Sequence, residues 1–172
     1  MLNVFDGAPN APKNETDTPY AVSAYGKFKI ACENMLTQAL GNRCLIVRLP
    51  GIVPPQKNKA ERKTPAFTNF YMSLNTPQNV ANAIAYCIKK EKSGPVHLSA
   101  SDFIADEAFS KNPSIPSEEL TAEKYAAILN CENINLLQLN ANKNFYLALQ
   151  SVHEDINKYF SITCEEIMKS LL

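Results

Sequence analysis

The stretch that decides the fold is residues 24–49, which read AYGKFKIACENMLTQALGNRCLIVRL. From about residue 20 to 40, apolar side chains recur at three- and four-residue spacing, which predicts a helix with one apolar face that Gly41 can terminate. The members of this apolar stripe are Tyr25, Phe28, Cys32, Met35, Leu36 and Ala39. Residues 44–49 are almost continuously apolar, as in a strand of a parallel sheet covered on both faces. Pro50 and Gly51 end that strand, so the stretch predicts an α/β protein.

The segments on either side of this stretch are expected to be loops. Residues 1–19 combine Gly7 and three prolines with Asn and Asp, which favour turns, and only residues 2–5 are compatible with a strand. Residues 54–65 combine three prolines with five charged side chains and predict an exposed loop.

Further along the chain, helix-start signals are clear. Thr76-Pro77 places a cap and a first-turn proline before a helix that runs to about Lys90, with Val80, Ile84 and Ile88 on its buried face. Residues 96–99 predict a short strand. Weaker patterns indicate a helix over 118–129 and an extended segment over 134–139. The capping-box pattern of Thr163 with Glu166 predicts a short terminal helix.

Composition excludes several function classes. The 172 residues include 17 basic and 17 acidic side chains, so no net positive field attracts nucleic acid or an anionic membrane. No apolar run is long enough to cross a bilayer and no leader pattern opens the chain, which predicts a cytoplasmic protein. The five cysteines are far apart and lack C-x-x-C spacing, so we expect reduced packing residues and no metal site. His97 and His153 are expected to be structural.

Tyr25 and Lys29 are the candidate catalytic pair. Side chains four residues apart lie one above the other on a helix, so the phenol and the ammonium can share one cleft. A phenol normally ionises too far above neutral pH to exchange protons, and a neighbouring ammonium stabilises the phenolate. Such a pair supports general acid catalysis, although the same spacing also occurs in ordinary core helices.

Several short patterns flank this pair: Val-Phe-Asp-Gly at 4–7, Glu-x-Asp at 15–17, Glu33 four residues past Lys29, and a strand that ends in Arg48. Together with Tyr-Gly-x-x-Lys at 25–29, they resemble the extended short-chain dehydrogenase/reductases, and within them the dTDP-4-dehydrorhamnose reductase family of sugar-nucleotide reductases. The likeness is specific over about residues 4–53 and weaker beyond, at Asn75-Thr76-Pro77, at 96–99, at 144–147 and at the Thr163 capping box.

The resemblance implies a reductase that transfers hydride from NADPH or NADH to a keto group on a nucleotide-linked sugar. Tyr25 would donate the proton to the developing alkoxide, and Lys29 would bond the nicotinamide ribose. Pro50, Gly51 and Ile52 would lie along the nicotinamide. The implied fold is a partial Rossmann-like parallel sheet with a small α/β substrate-binding portion. We expect one domain over 1–172, in which 1–53 carries the catalytic helix and sheet segment and 54–172 the substrate-binding-like portion.

The sequence also departs from the family pattern. The family carries a glycine-rich turn that holds the cofactor pyrophosphate, but the five glycines here, at 7, 26, 41, 51 and 94, cannot form one. The position of the family's catalytic Ser or Thr falls at Met1, and Ser23 points to a different side of the helix from Tyr25, so it cannot replace that hydroxyl. Ala141-Asn142 stands where the family has an arginine-proline pair.

Three interpretations follow from these matches and departures. The first is the C-terminal part of a sugar-nucleotide reductase, either a truncated gene product or a degenerate copy, which is inactive alone and binds no cofactor. Its expected partners are a missing N-terminal half or further copies of itself in a homo-oligomer. The second is a non-catalytic regulatory relative that resembles the beta subunit of methionine adenosyltransferase. The third is an unassigned α/β domain in which the Tyr25 helix is ordinary core.

Overall fold

The computed structural model describes residues 4–5, 12–21, 24–53, 70–105 and 145–170. Four α-helices lie in these ranges: α1 (Ala24–Leu40), α2 (Pro77–Lys89), α3 (Glu154–Phe160) and α4 (Cys164–Lys169). The strands are β1 (Leu45–Arg48), β2 (Gly51–Ile52), β3 (Phe70–Met72), β4 (Leu74–Asn75), β5 (Gly94–His97), β6 (Ile104–Ala105) and β7 (Phe145–Leu147). The predicted α/β class is confirmed.

Short parallel pairs dominate the sheet structure. β1 pairs with β5 in parallel, with Leu45 opposite Gly94 and Arg48 opposite His97. β2 pairs with β4 in parallel, and β3 lies between antiparallel β6 and parallel β7. Parallel neighbours need a crossover, and α2 connects β4 to β5 along the chain. The arrangement is that of a partial Rossmann-like fold.

The helix α2 supplies the first core. Thr76 caps it by accepting from the Asn79 amide, and Pro77 opens its first turn, as predicted. Its buried residues are Val80, Ala83 and Cys87, which pack with Val96, Leu98 and Ile156. The prediction that Ile88 is buried is wrong: its side chain is 66% exposed, because the face one position earlier, at Cys87, turns toward the sheet.

The helix α4 closes a second core of Val53, Leu74, Ala100, Cys164 and Ile167. The predicted capping box is confirmed: Thr163 accepts from the Glu166 amide while the Glu166 carboxylate accepts from the Thr163 amide. The amide of Cys164 donates to Asp102 Oδ1 at 2.7 Å, which satisfies another donor of the first turn.

The helix α1 begins at Ala24, four residues later than predicted, and ends at Leu40 before Gly41, whose φ of +55° suits glycine. Its apolar stripe is not core. Phe28 is 62% and Met35 68% exposed, and Gly26 is the helix's buried residue. The helical period identified the apolar face correctly, but no described segment covers it.

Other expectations have mixed outcomes. Val4 and Phe5 form a turn and a bend and not a strand, although both are buried. The strand expected at 96–99 lies instead at Gly94–His97. Cys32, Cys44, Cys87 and Cys164 are free thiols, as predicted.

Some predictions fall on residues that the structure does not describe. They concern the loop at 54–65, the helix at 118–129, the extended segment at 134–139, Ser23, Cys131 and the Ala141-Asn142 pair. In the parts of the chain that are described, no helix is long and apolar enough to cross a membrane.

Candidate functional site

Tyr25 and Lys29 are neighbours on the exposed side of α1. The Lys29 Nζ lies 5.4 Å from the centroid of the Tyr25 ring, as the four-residue helical spacing requires. Tyr25 is 43% exposed, so its ring is not in a dry interior, and the amine lies on the same side of the helix as the ring. A phenol and an ammonium in this arrangement are open to a ligand that approaches α1 from outside.

Pro50, Gly51 and Ile52 follow directly after β1. Pro50 is buried, and Gly51 and Ile52 form β2 beside β4. A Cβ at Gly51 would lie 3.3 Å from Leu74 Cδ2, so a side chain there would require the Leu74 side chain to shift by a few tenths of an ångström. The segment therefore lies at the carboxyl end of a parallel strand, which is the edge where α/β sheets bind ligands.

An ion pair fastens α1 to β1. Arg48 donates from Nη2 to Glu33 Oε2 at 2.7 Å and from Nε to Glu33 Oε1 at 3.1 Å, a bidentate geometry. The guanidinium also lies over the Phe5 ring, 5.3 Å from its centroid. Glu33 is one turn beyond Lys29 on α1. The Glu33–Arg48 ion pair therefore fixes the position of α1 along its axis, and its rotation, relative to β1.

A buried polar cluster lies next to Arg48. His97, which is completely buried, approaches Arg48 Nη1 with its Nε2 at 3.3 Å. The Glu15 carboxylate accepts from the His97 amide, from the Val152 amide and from Ser151 Oγ, at 2.6 to 2.8 Å. Burial alone would raise the pKa of Glu15, but these three hydrogen bonds hold it below its usual value.

Sequence reasoning did not find this cluster. Glu15 was noted only as part of an acidic pattern and His97 only as a lone histidine. The predicted residues Tyr25 and Lys29 do lie together, whereas the residues around Pro50 belong to a different element. No local spacing could reveal the cluster, because Glu15 and Ser151 are 136 residues apart in sequence.

The residues fit only one end of a nicotinamide dinucleotide. Tyr25, Lys29 and the segment at 50–52 can contribute a phenol, an ammonium and strand-end backbone. No glycine-rich turn for a pyrophosphate can be written from the five glycines of the sequence. Within the described ranges, no cluster of His, Cys, Asp or Glu side chains could hold a metal ion.

Comparison with known proteins identifies the fold. No protein-family model and no curated protein sequence matches this chain. Comparison of structures shows that it has the fold of the extended short-chain dehydrogenase/reductases.

Solved structures with a similar fold include dTDP-4-dehydrorhamnose reductases. The enzyme from Clostridium acetobutylicum matches with a TM-score of 0.72 and 17% identity over 99% of this chain and 62% of its own. The enzyme from Bacillus anthracis, solved in complex with NADP, matches with a TM-score of 0.71 and 17% identity over 99% and 60%. A UDP-N-acetylglucosamine 4-epimerase from Methanobrevibacter ruminantium, in complex with UDP-N-acetylmuramic acid, matches with a TM-score of 0.63 and 10% identity over 98% and 58%. This chain thus spans less than two thirds of the length of each of them.

Proposed function

We propose that this chain is the part of a nucleotide-sugar reductase that carries the proton donor and the substrate side, and that it is inactive without a dinucleotide-binding portion. The observation that carries the proposal is the Tyr25–Lys29 pair, exposed on α1 with the amine 5.4 Å from the ring centroid. The shared fold with dTDP-4-dehydrorhamnose reductases supports the substrate class, a 4-keto sugar linked to a nucleotide.

In this proposal Tyr25 donates a proton to the carbonyl oxygen that becomes an alkoxide during reduction. The Lys29 ammonium favours the phenolate that remains, and it would bond the nicotinamide ribose. NADPH or NADH would supply the hydride when bound, and Pro50, Gly51 and Ile52 would help to hold its nicotinamide end. Because the sequence has no turn for the pyrophosphate, we expect these 172 residues alone to have no measurable affinity for the cofactor.

In the first experiment, the purified chain is titrated with NADPH and then with a dTDP-sugar, and calorimetry measures the heat of binding. We expect no saturable heat from NADPH. Saturable binding at micromolar cofactor would contradict the proposed need for a further dinucleotide-binding portion.

The second experiment tests the role of Tyr25. The DNA upstream of codon 1 is read for an in-frame glycine-rich segment, and any longer form is expressed and assayed. In that form, Tyr25→Phe is expected to lower turnover by about two to four powers of ten, with cofactor affinity nearly unchanged. Tyr20→Phe, a change of an exposed tyrosine outside α1, is the matched control and is expected to retain activity. Full activity of Tyr25→Phe would remove Tyr25 from the mechanism.

A non-catalytic regulatory relative is the second candidate, and the missing glycine-rich turn favours it. It predicts that the upstream DNA encodes no such segment and that the chain co-purifies stoichiometrically with one partner enzyme. The class of that partner, such as a methionine adenosyltransferase, would be identified by its activity.

A further inference from the structure

The contacts around the His97 ring determine which of its nitrogens carries the proton. Nδ1 faces the carbonyl oxygens of Lys13 at 3.2 Å and Gln150 at 3.1 Å, which are acceptors only. Nε2 faces Arg48 Nη1, which is a donor only. Nδ1 must therefore donate and Nε2 must accept, so the ring is neutral with its proton on Nδ1.

Within the part of the chain that the structure describes, no acceptor lies opposite a second proton on His97. It would place an N–H on Nε2 directly against the Arg48 guanidinium, 3.3 Å away, in a fully buried position. Burial lowers the pKa of His97; the Glu15 carboxylate opposes this effect, Arg48 adds to it, and the two carbonyls oppose it. Glu33, which faces Arg48 from α1, neutralises the guanidinium and keeps it in place.

Four separate segments meet at this ring. The Lys13 segment forms a parallel bridge with the segment at Leu149, and the two exchange backbone hydrogen bonds at Ala148 and Gln150. Both segments contact β5 in two ways: their carbonyls at Lys13 and Gln150 face the His97 ring, and the Glu15 carboxylate accepts from the His97 amide and from Ser151. Arg48 of β1 contacts the same ring and holds α1 at Glu33. The edge of the Phe5 ring packs on His97, with ring centroids 5.8 Å apart.

We propose that His97 is a proton-sensitive lock: neutral, with its proton on Nδ1, it joins the Lys13 segment, the Gln150 segment and the Arg48–Glu33 pair, and a proton on Nε2 releases them. The proposal rests on contacts within the chain and needs no cofactor or substrate. One consequence depends on the proposed function: Arg48 stays paired with Glu33, so a guanidinium that moves away from a charged His97 would shift α1, and with it Tyr25 and Lys29. Acid would therefore disorganise the candidate site before it unfolds the α2 core.

The direction of the pH effect follows from proton linkage. An unfolded histidine has a pKa near 6.5, and His97 in the folded chain lies below its ordinary value. Above about pH 6.5 both states are neutral and the full stability is present. As the pH falls below that value the unfolded state takes up the proton first, so stability is lost until the folded pKa is passed. For one proton the unfolding constant rises at most about tenfold per pH unit.

NMR of the chain labelled with ¹⁵N at histidine tests the tautomer directly. The chain has only two histidines, and His153→Gln assigns their signals. We expect His97 to show a protonated Nδ1 and an unprotonated Nε2 at pH 7.5. A proton on Nε2 at that pH, or a freely titrating ring with a normal pKa, would overturn the proposal.

Thermal unfolding between pH 8 and pH 5 tests the lock. The melting temperature of the wild type is expected to fall as the pH drops below about 6.5. His97→Gln, which can donate and accept but does not titrate in this range, is expected to have a flatter profile. His153→Gln is the matched control and is expected to keep the wild-type slope. Equal slopes for the wild type and His97→Gln would overturn the proposal, and if His97→Gln does not fold, the NMR result decides.

Discussion

At the scale of single residues, the contact between Glu33 and Arg48 determines how α1 is attached. The two side chains are 16% and 8% exposed, so their bidentate pair is largely removed from water. A buried pair of this kind is costly to break, because the remaining charge keeps its desolvation penalty without a partner.

Glu33→Ala is therefore expected to lower the free energy of unfolding by about 2 kcal/mol. This is less than the roughly 3–5 kcal/mol of a fully buried pair, because water still reaches part of Glu33. Urea unfolding measures the loss. The matched control is Glu165→Ala, which breaks a pair with Lys169 whose side chains are 74% and 70% exposed, and which should change nothing measurable. Equal losses in the two variants would show that Arg48 is not held by Glu33.

The residue scale also shows where sequence reasoning stops. Tyr25 and Lys29 were paired correctly because a helix fixes the distance between residues four apart. The pairing of Glu33 with Arg48 cannot be predicted from local spacing, because 15 residues and a turn separate the two. The sequence shows both residues only as parts of the family pattern. The hydrogen bonds around His97 join residues 49 to 84 positions apart, so they depend on the tertiary fold and leave no local signal.

At the scale of elements, the best predictions were those that depend on local chemistry. The caps at Thr76 and Thr163 were predicted because each satisfies amides within three residues of itself. The burial of whole faces was less predictable: the period of α1 shows which side is apolar but not what covers it. In α2 an error of one position moved Ile88 from the expected core into solvent.

The capping box of α4 leads to a prediction at this scale. Thr163→Ala removes the oxygen that accepts from the Glu166 amide, and it is expected to lower the free energy of unfolding by about 1 kcal/mol. The matched control is Thr37→Ala, since the Thr37 hydroxyl only donates to the Glu33 carbonyl in the middle of α1 and alanine favours a helix interior. Chemical denaturation that gave both variants the same loss would contradict a capping role for Thr163.

At the scale of the whole molecule, the chain presents apolar surface that a single folded protein usually covers. Tyr25, Phe28, Met35, Leu36 and Leu40 are each at least 40% exposed along α1. In the described parts of the chain, β1 pairs on one side only, with β5. Apolar stripes and open strand edges promote association between chains.

We therefore expect the isolated chain to self-associate at micromolar concentration. Sedimentation velocity measures the distribution of monomers and larger species. Replacing Phe28 and Met35 together by glutamate should shift the distribution toward monomer, because it places charge in the middle of the α1 stripe. Ile88→Glu is the matched control, since Ile88 is equally exposed on a different helix, and it should leave the distribution unchanged. A monomeric wild type would count against the view that another polypeptide segment normally covers α1.

The contact between Cys164 and Asp102 has a consequence for reagent chemistry. Burial, together with the hydrogen bond and the charge of Asp102, raises the pKa of the Cys164 thiol to about 12, so the sulfur stays protonated in any ordinary buffer. Alkylating agents and peroxide attack the thiolate, and they pass such a sulfur by. Among the cysteines that the structure describes, Cys32 is the one that is not fully buried. A maleimide dye attached there, with Cys131 replaced by serine, would report on the helix that carries Tyr25.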